Sequence, residues 1–161
     1  LSRLAQGFGW RSGLSTRNTK SKPSGARQRG QSVSKASRNK GAGGERELIL
    51  EIEALTGIRL QRNLAQTFGG GHDLIGLDDW AIECKRYATI SHADKRAFWA
   101  QAVNQAKRVD KMPAVCFRAD RAEWRVLVVY PLHQELYDIE DFRCSCEISL
   151  ELFCGLIREA L

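Results

Sequence analysis

The chain of 161 residues carries 25 Lys and Arg against 19 Asp and Glu, a formal charge of +6. That length fits one domain with an extension rather than two cores. No apolar run approaches the roughly 20 residues of a membrane helix, so a soluble protein with no membrane partner is expected.

The charge is unevenly spread. Residues 1–44 hold ten Lys or Arg and no acid, which leaves 15 basic and 19 acidic residues, a balance of −4, for the remainder. Residues 1–42 are also rich in Ser and Gly and show no sustained hydrophobic period, the composition of a disordered basic tail. Such a segment suits phosphate neutralisation on nucleic acid, with counterion release; organelle targeting is the alternative reading of an acid-free, Arg- and Ser-rich terminus. Trp10, in this segment, is the one tryptophan of the chain without an evident core role.

From Gly43 the composition changes, and 43–161 is expected to form the folded domain. Glu45 to Thr56 reads as a helix with Leu48, Ile49, Ile52 and Leu55 on one stripe, closed by Gly57. Ile58–Asn63 is a candidate strand and Gly69–Gly71 a turn. Asp73–Leu77 and Trp80–Lys85 read as short strands joined around Asp78 and Asp79. A second helix is expected over Asp94–Lys111, stopped by Met112 and Pro113, with Phe98, Trp99, Ala102, Val103, Ala106 and Val109 inward. Ala114–Arg118 and Arg125–Tyr130 are strands, 131–143 an irregular acidic loop, and Ser149 caps a last helix running to about Ala160. The resulting class is α/β, a mixed sheet with helices on its faces.

The five cysteines, Cys84, Cys116, Cys144, Cys146 and Cys154, are odd in number and lie mostly in apolar stretches, as expected for reduced thiols in a cytoplasmic protein. Cys144 and Cys146 have no second close-spaced pair with which to hold zinc.

Three acids and a lysine invite a chemical explanation. On a helical wheel Glu45 lies about 30° from the mean of the apolar stripe, whereas Glu47 lies about 130° away. An acid complementing the helix dipole is the simpler account of both. Glu83 and Lys85 are two apart in a strand and share a face. Asp73 joins them only if an odd-length loop sets it opposite Glu83; a two-residue turn at Asp78–Asp79 would set it opposite Cys84. Two carboxylates on adjacent strand ends, with a third from a helix, form the oxygen-rich site that Mg²⁺ prefers. A lysine beside them can orient water and offset charge at phosphorus, which together describes metal-assisted phosphodiester hydrolysis.

The stretches KGAGGERELILEIEAL, HDLIGLDDWAIECKRY and FWAQAVNQAKRVDKMPAVCFR resemble the PD-(D/E)XK nuclease superfamily, most closely the small Holliday-junction resolvases and their phage-encoded relatives. The resemblance spans roughly residues 40–130. It implies a restriction-endonuclease-like fold, Mg²⁺ as cofactor with Mn²⁺ as a substitute, and commonly a homodimer that cuts branched DNA. Position by position it makes Glu45, Asp73 and Glu83 the metal-binding acids and Lys85 the catalytic lysine. A glutamine on the following helix matches Gln101 or Gln105, with Gln101 preferred. His72 stands where the motif name has proline. Lys40, Arg59, Arg62 and Arg86 flank the expected site and are candidates for phosphate contacts. His72 itself is expected to be a solvent-exposed loop residue, Trp80 and Trp99 core, and Cys84 packed on the face opposite Glu83 and Lys85.

Overall fold

The computed structural model describes residues 35–64, 71–130 and 139–159, with side chains from residue 41 onward. Most of the tail, Trp10 included, therefore lies outside the described residues, as do most of the Gly69–Gly71 turn and residues 131–138.

Helix α1 spans Lys35–Thr56 and leads into β1 (Gln61–Arg62), β2 (Leu74–Ile75) and β3 (Trp80–Tyr87). Helix α2 (His92–Val109) crosses to β4 (Met112–Ala119), then β5 (Arg125–Val129), a short 3₁₀ turn at Phe142–Cys144, β6 (Ser145–Ser149) and α3 (Leu150–Glu159). The six strands lie in the sheet in chain order. Every neighbouring pair is antiparallel except β3–β4. A parallel pair needs a long crossover, and α2 supplies it.

Side chains alternate across this sheet and divide the core in two. Ile82, Ala114, Cys116, Val126 and Val128 face α1 and α3, where they meet Leu48, Ile52, Leu150, Phe153 and Ile157. Val115, Phe117, Leu127 and Val129 face α2 and meet Phe98, Trp99, Ala102 and Val103. Each large apolar side chain fully buried this way contributes about 1.5–3 kcal/mol. Trp80 and Trp99 are core residues, as expected, and Cys84 packs with the α1 face.

Helix α1 begins ten residues before the expected Glu45, inside the stretch that composition assigns to the tail. Gly41, Gly43 and Gly44 conceal this extension, because glycine costs about 1 kcal/mol relative to alanine in a helix. At Gly44 α1 passes close to β3: a Cβ there would stand 3.1 Å from the Cβ of Arg86.

Helix α2 opens with a capping box in which Ser91 and Asp94 satisfy each other's backbone N–H, so it starts two residues before the expected Asp94. Ser149 does cap α3, its hydroxyl accepting from Leu152 N at 3.2 Å. The strand Ser145–Ser149 is an addition to the expected elements. It pairs with β5 from Arg125↔Ser149 to Val129↔Ser145.

Candidate active site

Asp73 sits one residue before β2, where the chain is held from both sides. Its N–H donates to Ile82 O at 2.8 Å, and its own carbonyl accepts from Asn63 N at 2.7 Å. Asn63 Nδ2 also donates to His72 O at 3.0 Å. The β2–β3 register pairs Leu74 with Ile82, so the turn is centred on Asp78. This is the odd-loop register. Gly76 makes it possible: its φ is +122°, and a Cβ there would lie 2.8 Å from Arg59 O.

The Asp73 carboxylate turns into the gap between the diverging strands, where Oδ2 accepts from Cys84 N at 2.7 Å. It thereby takes up a β3 backbone donor that the short β2 leaves without a ladder partner.

Glu83 and Lys85 point to the α2 face. Glu83 is only 2 % exposed. Its Oε1 accepts from Lys85 Nζ at 2.5 Å and from Gln101 Nε2 at 2.6 Å, and Lys85 Nζ also donates to Gln101 Oε1 at 3.1 Å. Gln101 thus closes a triangle with the acid and the lysine. Gln105, one turn further along α2, also stands near the Glu83 carboxylate and opposes the rise of its pKa, without reaching Oε2 as a hydrogen-bond donor. Gln101, in contrast, bridges both members of the pair.

Among the described residues, Glu83 Oε2 is buried without a hydrogen-bond partner. Burial first, and then repulsion from Asp73, raise the Glu83 pKa from 4.5 to about 7, against the opposing pull of Lys85. A buried carboxylate oxygen without a donor, beside a second acid, is what a cation would relieve.

Glu45 occupies a different position. Its carboxylate is bound by the guanidinium of Arg62. It lies near Cys84, whose thiol pKa it helps to push up after burial, Cys116 and Asp73. Among the described residues no three His, Cys, Asp or Glu side chains gather as a ligand group. The structure thus brings together Asp73, Glu83, Lys85 and Gln101, with Glu45 and Arg62 as a neighbouring ion pair. Asp73 and Glu83 offer carboxylate oxygens of the kind a hard divalent ion accepts, and such an ion can complete its shell with waters or phosphate oxygens.

The basic candidates divide. Arg59 is 89 % exposed, with Glu53 Oε1 at 3.5 Å. Arg86 projects toward α1, away from the face of Glu83 and Lys85, and meets Glu47 at 3.3 Å. Arg118, its cross-strand neighbour, binds the same Glu47. Lys40 lies in the first turns of α1, and its side chain is outside the described residues.

His72 corrects an expectation. It is buried, neither ring nitrogen has a hydrogen-bond partner among the described residues, and burial, then Lys111, lower its pKa. The glycines before it read as a loop, whereas the backbone is pinned by Asn63 and follows β3. The roles of Asn63 and of the Cys84 backbone N–H carry no sequence signal, since both depend on where β2 and β3 part.

An acid at a strand start, an E-x-K pair on the adjacent strand and a preceding helix define the layout of a PD-(D/E)XK nuclease. Residues 36–145 match the family described as "Phage putative PDDEXK endonuclease", and the chain belongs to that family. No curated protein sequence matches it. Among solved structures it is similar to Hjc of Archaeoglobus fulgidus, a Holliday junction resolvase from an archaeal hyperthermophile. That similarity is 16 % in identity, covers 70 % of this chain and 97 % of that one, and has a TM-score of 0.43.

Proposed function

We propose that this chain is a Mg²⁺-dependent DNA endonuclease that hydrolyses phosphodiester bonds in branched DNA as a homodimer, with Mn²⁺ able to replace Mg²⁺. The observation that supports it most is the Glu83 carboxylate, whose Oε1 holds Lys85 while Oε2 stands buried beside Asp73 with no hydrogen-bond partner among the described residues.

Asp73 and Glu83 Oε2 would hold the ion. When bound, Mg²⁺ polarises a phosphoryl oxygen and makes water a better nucleophile. Lys85, kept in place by Glu83 Oε1 and Gln101 Oε1, orients the attacking water and offsets the charge that grows on the phosphorus oxygens. Gln101 positions both members of the pair. Glu45 acts through Arg62, which it aims as a phosphate contact at the site margin. Arg59, Lys40 and the basic segment before α1 add contacts to the DNA backbone, independent of base sequence. Arg86 ties β3 to α1 through Glu47.

The experiment is cleavage of end-labelled four-way junction, flap, duplex and single-stranded DNA of matched sequence. Paired, symmetric cuts confined to the junction are the expected result, since resolution needs two matched incisions. Metal-dependent cutting of all four substrates alike would keep the nuclease and refute branch preference. Tight binding with no cutting of any substrate would overturn the catalytic reading.

A further inference from the structure

Beyond Lys85 the outer end of β3 carries an aromatic pair for which the hydrolysis has no use. Tyr87 lies two residues past Lys85, so its ring rises on the same face as Glu83 and Lys85. Exposure increases along that face, from 2 % at Glu83 to 48 % at Tyr87. The Tyr87 ring is stacked on the buried Phe98 ring of α2, with centroids 5.3 Å apart and planes 27° from parallel. Lys85 Nζ stands 5.7 Å from the centroid of the same Phe98 ring.

Phe98 thus links the lysine of the site to an exposed tyrosine whose inner face is already covered and whose orientation is set. Lys85 Nζ and the Tyr87 ring are separated by no more than the sum of those two distances. That is about three nucleotide steps of a stacked strand at 3.4 Å each.

We infer that Tyr87, backed by Phe98, is a stacking platform for an unpaired nucleobase close to the phosphate being cut. A base laid on its outer face extends a stack that already has two rings. Stacking of this kind accepts any base, because every base has a π face. It also favours branched, frayed or single-stranded DNA over intact duplex, whose bases are occupied with one another. The inference rests on the nuclease reading for its substrate but not for its readout.

The test uses the full chain in metal-free buffer with a single-stranded oligodeoxynucleotide carrying 2-aminopurine, whose fluorescence falls when it stacks. Wild type and Tyr87→Phe should quench the probe. Tyr87→Leu, which keeps an apolar cover over Phe98 without a π face, should lose the quench and bind on the order of tenfold more weakly. In Mg²⁺ the same variant should raise KM for branched substrate by a similar factor while kcat changes little. Quenching by Tyr87→Leu equal to that of wild type, with circular dichroism showing a native fold for both, would overturn the platform even if DNA is cleaved. Tyr87-dependent quenching by a protein that cleaves nothing would sustain the platform and remove the nuclease reading instead.

Discussion

Replacing Glu83 with glutamine should make the metal-free protein more stable at pH 8 and inactive. A carboxyl whose pKa is raised on folding holds its proton more tightly in the folded chain than in the unfolded one. Below pH about 4.5 it is protonated in both states and has no effect. Stability then falls as pH rises from about 4.5 to about 7, and the full cost is present above that. With Glu83 raised from 4.5 to about 7, at 1.4 kcal/mol per pH unit, the cost reaches about 3 kcal/mol. Glutamine keeps a carbonyl oxygen for Lys85 and Gln101 but carries no charge. In EDTA at pH 8, Glu83→Gln should therefore melt roughly 5–10 °C above wild type, and at pH 5 the two should nearly coincide. Mg²⁺ should raise the wild-type melting temperature at pH 8 and leave that of Glu83→Gln where it was. Differential scanning calorimetry at both pH values, with and without metal, gives all four comparisons. A gap between the proteins that does not change from pH 5 to pH 8 would refute the burial argument.

Other outcomes follow from the same geometry. Asp73→Ala should abolish cleavage and leave DNA affinity equal or improved in a gel-shift assay, because a carboxylate near phosphate is removed. Gln101→Ala, which frees Lys85 of one of its two anchors, should lower kcat on the order of tenfold with little change in KM, whereas Gln105→Ala should have the smaller effect in the same kinetic assay. Gly76→Ala should destabilise the fold by roughly 1–3 kcal/mol in urea titration, because its Cβ would meet Arg59 O at 2.8 Å from a φ of +122°. Removing residues 1–34, which hold seven Lys or Arg, should flatten the plot of log K against log salt by up to about six units of slope in fluorescence anisotropy.

Much of this layout is legible in the residues, and the reasons differ by element. Helix α2 and strand β5 announce themselves through period, with Phe98, Trp99, Ala102, Val103 and Ala106 all buried along one stripe. The Glu83–Lys85 face follows from strand alternation alone, whereas Asp73 depends on a loop parity that the residues leave open between two registers. Pro113 misleads, since it reads as a helix stop with the strand beginning after it, yet it pairs with Ala81 inside β4. Strand β6 is hidden because Ser-Cys-Glu-Ile-Ser is an edge strand of half-buried residues with little apolar contrast. The partner of Glu45 is not legible either. A helical wheel can turn Glu45 toward the sheet, but which side chain it meets there depends on where β1 places Arg62.

The central claim is that Asp73, Glu83 and Lys85 act together with a divalent ion on DNA. The most direct measurement is single-turnover cleavage of labelled branched DNA by wild type, Asp73→Ala, Glu83→Gln and Lys85→Met, in Mg²⁺ and in EDTA. Cleavage by wild type in Mg²⁺ alone, with each variant reduced at least a hundredfold while still binding the DNA, is the predicted result. Cleavage that persists in EDTA, or that survives loss of Lys85, would contradict the account.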